Sequence, residues 1–221
     1  MKRIFALILT IVMALLLMAG CGSSNGVGPP LPSISVRSLE ELDKMREMIS
    51  CTDEEKLNEY LRSVEGGGAY SREDLISFVD MVDSLPLPEL IKGDIIWINR
   101  QNNAGNPKDE FVTVSTQGAN GDWVRVEYQT SVKDANAEIE TRQKEGYFKK
   151  SGLDAPVKSN DGRITVYSET KEAHPSGVGD TVTWTIVVDG LLAKVVYYSE
   201  NIDVINAENI FRDITITTLN A

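Results

Sequence analysis

Two cysteines and one histidine are all the thiols and imidazoles this chain holds for metal binding or nucleophilic catalysis. With His174 as the sole imidazole, no multi-histidine zinc site can form, so no metal is expected. His174 lies in the loop Glu172–Asp180, directly before Pro175. Ser176 and Asp180 are close to it only in sequence. No nucleophile-elbow pattern surrounds Ser176, so an exposed loop histidine is expected rather than a triad. Positive charge is also scarce. The chain has 22 basic against 33 acidic residues, a net charge of −11. That balance argues against nucleic acid or an anionic membrane face as partner, because both reward clusters of Lys and Arg. The triple glycine Gly66-Gly67-Gly68 is not followed by Gly-Lys-Ser/Thr, so it reads as a helix terminator and not a phosphate cradle. No cofactor is expected.

What the sequence does contain begins at its start. Lys2 and Arg3 precede an apolar run from Ile4 to Met18, then Ala19, Gly20 and Cys21. This is the order of parts in a secretory signal, and the run is shorter than the ~20 apolar residues a spanning helix needs. Leu17-Met18-Ala19-Gly20-Cys21 resembles the lipobox of bacterial lipoproteins, departing from it in Met18, where leucine is commonest. The resemblance implies cleavage before Cys21 and a diacylglycerol thioether on its sulfur. The protein would then be held at the cell membrane by lipid, facing outside the cytoplasm. An uncleaved anchor and ordinary secretion are the alternatives. Loss of Lys2 and Arg3 with the leader takes the net charge from −11 to −13. With Cys21 committed to lipid, Cys51 is left without an intrachain disulfide partner. It reads as an inert thiol beside Asp53, Glu54 and Glu55.

The division expected is a leader over 1–20, a Gly/Ser/Pro-rich tether over 21–33, a helical subdomain over 34–90 and a sheet domain over 91–221. Three helices are expected in the first folded part. Ser38 with Glu41, Thr52 with Glu55 and, more loosely, Ser71 with Asp74 form capping boxes. Apolar residues follow each at helical spacing. Pro86 and Pro88 end the third helix. The stretch SLEELDKMREMIS, TDEEKLNEYL and SREDLISFVDMVDSLPLPEL, over residues 38–90, is similar to the helical segment of clostridia-type lipoproteins. That family has no assigned activity, so the resemblance transfers no site residues.

From Asp94 the hydrophobic period becomes two. Strands are expected at Ile95–Ile98, at Phe111–Val114 and from Trp123 to Thr130. A bulged or longer turn at Asn120-Gly121 would set Val112 and Val114 opposite Tyr128 and Val126. Asp161-Gly162 closes a hairpin with Val157 opposite Val166. Asp189-Gly190 closes another, pairing Val188 with Leu191, Ile186 with Ala193, Trp184 with Val195 and Val182 with Tyr197. Thr181, Thr183, Thr185 and Lys194 then share a solvent face. Helices are expected over 132–145 and 204–214, and a short strand in Thr215–Leu219. Asp134, Asn136, Glu138, Glu140 and Glu145 match calcium-loop spacing, but Ile139 stands where that loop needs glycine. The class is α+β, with an N-terminal three-helix segment and an antiparallel meander sheet carrying one or two packed helices.

No catalytic constellation emerges. Glu73/Asp74 and Asp80/Asp83 fall on polar helix sides. Trp97, Trp123 and Trp184 recur on strands and are expected mostly in the core, with one available to line a binding face. The leading expectation is a non-enzymatic envelope module that contacts a protein partner. The alternative is a small-molecule or lipid-binding lipoprotein with a pocket between sheet and helix. A hydrolase comes third and would need two carboxylates converging in a cleft.

Overall fold

The computed structural model describes residues 33–65, 69–90, 92–101, 110–173, 180–200, 202 and 205–219. The leader, Cys21, Gly66–Gly68, His174 and Ser176 lie outside the described residues.

Local capping chemistry sets the first elements. Strand β1 (Ile34–Val36) comes first, and helices α1 (Leu39–Ile49), α2 (Glu54–Ser63) and α3 (Arg72–Ser84) follow. Ser38 caps α1 by accepting from the Glu41 N–H. Ser71 and Asp74 complete a full reciprocal box on α3, tighter than the looser form expected. The cap of α2 is Asp53 and not Thr52: its carboxylate accepts from the N–H groups of Glu55 and Lys56. A full negative charge at that position also opposes the positive end of the helix dipole, which a threonine hydroxyl would not do. The expected helical stretch therefore opens with a strand, and β1 is an edge strand of the main sheet.

After α3, Leu87–Pro88 forms β2, which pairs with the short C-terminal strand β10 (Ile216–Thr217) in a sheet of its own. The main sheet takes β3 (Gly93–Gln101), β4 (Phe111–Gly118), β5 (Trp123–Tyr128), β6 (Val157–Lys158), β7 (Ile164–Ala173), β8 (Asp180–Val188) and β9 (Leu191–Ser199). Helix α4 (Ala135–Lys144) lies between β5 and β6, and α5 (Ala207–Phe211) follows β9. Both are shorter than the 132–145 and 204–214 expected. Each begins at a side-chain cap, Asp134 for α4 and Asn206 for α5.

The α+β class is as expected. The eight strands run in the order β1-β3-β4-β5-β9-β8-β7-β6, antiparallel throughout. This is not one meander. Two three-stranded meanders, β3-β4-β5 and β7-β8-β9, meet through the non-sequential pair β5–β9. The hairpin registers expected from the turns all occur: Val112 opposite Tyr128, Val157 opposite Val166, and the four apolar pairs closed by Asp189-Gly190. Asp189 and Gly190 both take positive φ, 46° and 83°, as a type I′ turn requires. Gly93 is required for another reason. A Cβ there would stand 2.2 Å from the Gln117 carbonyl oxygen across the β3–β4 pair.

Alternation then divides the sheet into two faces. One row of the inner face reads Val36, Ile98, Val114, Val126, Val195, Trp184 from strand to strand. These residues share one core with Leu42 and Met45 of α1, Leu75, Phe78 and Val82 of α3, and Phe211 of α5. Trp184 is fully buried and meets Phe211 edge-on at 5.1 Å. Its indole N–H donates to Glu169 Oε2 at 2.9 Å, and the same oxygen accepts from the Ala207 N–H at 2.6 Å. One carboxylate thus ties the start of α5 to the centre of the sheet. Arg100 is the fully buried charge on this face, with its guanidinium 5.7 Å from the Phe78 ring. Burial pulls its pKa down, opposed by Glu110, Asp74 and Tyr70.

Candidate functional site

The outer face reads differently. Along one level, Ser35, Asn99, Thr113, Glu127, Lys194, Thr185 and Ser168 follow one another across seven strands, and all are polar. Helix α4 covers one end of this face. Its Ala135 and Ile139 pack on Val187 of β8 and Leu192 of β9 in a second, smaller cluster with Val132, Phe148 and Tyr167. The expected solvent side is thus partly roofed. The apolar residues Val187 and Leu192, next to the Asp189-Gly190 turn, give α4 its landing site.

Beside that roof lies a polar cleft of about 330 Å³. Its floor is Thr183 and Thr185 of β8, Lys194 of β9, and Ser168 and Thr170 of β7. Its wall is formed by Gln129, Arg142, Tyr147, Phe148 and Lys150. Tyr167 is displaced by the bulge between Val166 and Ser168, and it stacks on Phe148 at 6.4 Å. Phe148 meets Tyr147 edge-on at 5.7 Å, and the Arg142 guanidinium caps the Tyr147 ring at 5.6 Å. Arg142 is held in turn by Glu138 at 2.7 Å and Gln129 at 2.8 Å. The wall is therefore braced from β7 through to α4. Cations outnumber anions in the cleft: Arg142, Lys150 and Lys194 face Glu172 alone. Neither Lys150 nor Lys194 has an ion pair among the described residues. Glu127, across from Lys194 on β5, is itself paired with Arg125 at 3.0 Å.

A second opening, of about 260 Å³, lies on the inner side. There Ile95, Val114, Val124 and Val126 of the sheet face Leu39 of α1 and the β2–β10 pair. Its lining is mainly apolar.

The residues singled out from the sequence fall as follows. Trp184 is core, as expected. Trp97 and Trp123 lie on the outer face, where Trp123 stacks on Tyr198 at 5.8 Å. Cys51 is a half-buried free thiol with Sγ 3.7 Å from the Asp53 carbonyl oxygen. Three of the four calcium-spaced acids are spent on the helix: Asp134 caps it, Glu138 pairs with Arg142 and Glu140 with Lys144. Asp74 is the capping-box partner of Ser71, and Asp83 is bonded to Arg46. Asp180 pairs with Ser199 on β9. Among the described residues, no group of three or more His, Cys, Asp or Glu is placed to hold a metal ion, and no helix is long and apolar enough to cross a membrane.

The polar cleft was not legible in the sequence as a unit. The alternation Thr181-Thr183-Thr185 with Lys194 marked the face. Nothing local to it indicates that the segment after α4 returns over that face carrying Arg142, Tyr147 and Lys150. Comparison with protein-family models, with curated proteins and with solved structures returns no match.

Proposed function

We propose that this chain is a lipid-anchored, extracytoplasmic envelope protein that works as a non-enzymatic protein-interaction module, docking its partner at the outer-face cleft. The observation that carries this reading is the contrast in charge. A strongly acidic chain presents a cleft with a braced arginine and two lysines that have no ion pair among the described residues, against one lining carboxylate. A local patch opposite in sign to the rest of the surface selects and orients a partner. In each carboxylate pair singled out from the sequence one member is engaged, Asp74 in a helix cap and Asp83 with Arg46, which supports binding over hydrolysis.

In this reading the leader 1–20 is removed, Cys21 carries the lipid, and residues 21–33 hold the folded part off the bilayer. The helical stretch within 34–90 acts with the sheet as one body, since they share a core. The test has two parts. Fractionating cells that express Cys21→Ser should move the protein from membranes to the soluble extracytoplasmic fraction, and continued retention would overturn the anchor. Crosslinking the native protein in its envelope, with mass spectrometry of the captured peptides, should join the cleft wall to one dominant protein. Crosslinks scattered over the surface would overturn the docking site.

The apolar opening between β2–β10 and the inner face favours a second reading, a small apolar ligand held between sheet and helix. Its lower volume and the filled core around it place it second.

A further inference from the structure

The outer-face cleft also constrains what its occupant must look like, and this step rests on the docking reading above. We propose that the occupant is a short acidic peptide segment of the partner, with carboxylates received by Lys194 and Lys150. At about 330 Å³ the cleft sits at the low end of the ~300–1,000 Å³ range of small-ligand clefts, so it admits a short segment and not a folded element. Lysine ammonium groups supply donors only, so the ligand atoms they meet must be acceptors. Both lysines lack an ion pair among the described residues, and carboxylates supply the charge that matches them.

The floor hydroxyls of Thr183 and Thr185 both donate and accept, which suits the N–H and C=O groups of an extended backbone. Nucleic acid fits poorly, because a polyphosphate would extend beyond the cleft over a surface that is net acidic. An acidic sugar is disfavoured by the wall. Tyr147 is 70 % exposed, but the Arg142 guanidinium already stands over its ring, which leaves at most one face for a sugar to stack on.

The test is isothermal titration calorimetry of the full chain in detergent. One probe is an acetylated, amidated hexapeptide of alternating aspartate and glutamate; the other is its asparagine/glutamine counterpart. The acidic peptide should bind one site, and the amide peptide should not. Raising salt from about 0.05 M to about 0.3 M should weaken binding, as the screening length shortens. Lys194→Gln and Lys150→Gln should each weaken it by about tenfold, equivalent to ~1.4 kcal/mol, with unchanged thermal midpoints. Undiminished binding to the double variant, or equal binding of the amide peptide, would overturn the inference. An acidic galacturonate oligomer that bound with the same Lys194 dependence, and more tightly than the peptide, would replace peptide with sugar. If the acidic peptide fails to bind while envelope crosslinks still map to the cleft, the carboxylate inference falls and the docking reading stands.

Discussion

The two faces of the eight-stranded sheet are made by the same strands, yet they obey different rules. The inner face takes every second residue and spends most of them on one core; the charged residues that reach that core, Arg100 and Glu169, are both engaged by neighbours. The outer face takes the residues between and keeps a polar row from β1 to β7, with α4 landing beside that row on Val187 and Leu192. If the outer face docks a partner as proposed, stability and recognition are separated by a shift of one residue along each strand. A substitution on one face should affect folding, and its neighbour on the other should affect binding.

The largest blow to this comparison would come from the centre of the inner face. Trp184→Ala removes the largest fully buried side chain and its contacts with Phe211 and Tyr197, so it should cost about 3–5 kcal/mol in urea unfolding. A loss below about 1 kcal/mol would mean that the inner face is not the stabilising one. Glu169→Ala should come next, at about 1–3 kcal/mol, because it leaves the buried Trp184 and Ala207 N–H donors without their acceptor. Amide hydrogen exchange should show Ala207 losing protection before the strands do.

Alkaline titration probes the same boundary more gently. Burial, reinforced by Asp122 for Tyr197 and by Glu41 for Tyr60, pushes both hydroxyls up to about 12. In the unfolded chain they ionise near pH ~10. The folded state therefore holds these protons more tightly. The contribution is complete below pH ~10 and is lost as the pH rises towards 12. The unfolding midpoint should fall across that window, and the double variant Tyr60→Phe/Tyr197→Phe should flatten the fall. Thr185→Ala, on the outer face one residue from Trp184, should change stability by less than about 0.5 kcal/mol. A loss comparable to that of Trp184→Ala would erase the distinction between the faces.

What could be read in advance follows the range of the interactions. The pairs around Asp189-Gly190 were legible because a two-residue turn and strict alternation jointly determine register within a single hairpin. The register of β4 against β5, reached through a loop longer than two residues, was legible for the same reason, since it is the one that keeps apolar residues together. The junction of β5 with β9 was not, because strands far apart in sequence can satisfy identical alternation with several neighbours. Helix caps sat between these cases. Thr52 and Asp53 are both competent, and the charged residue one position on was the one used. The cleft lay beyond local signals altogether, since Lys194 meets Arg142 and Lys150 only after the segment following α4 folds back across the sheet.

The placement of the three tryptophans gives the protein an internal optical gauge. Trp184 is sealed in the core with its indole N–H on the carboxylate that also holds α5, so a red shift of its emission would register release of that helix. Trp97 and Trp123 sit half-buried on the opposite face, where Trp123 lies against Tyr198. Their emission and their access to a polar quencher report events on that surface instead. Replacing Trp184 with Phe, or Trp97 and Trp123 together, leaves a chain whose fluorescence speaks for one face alone. The two faces can then be followed separately in the intact protein, with no label added.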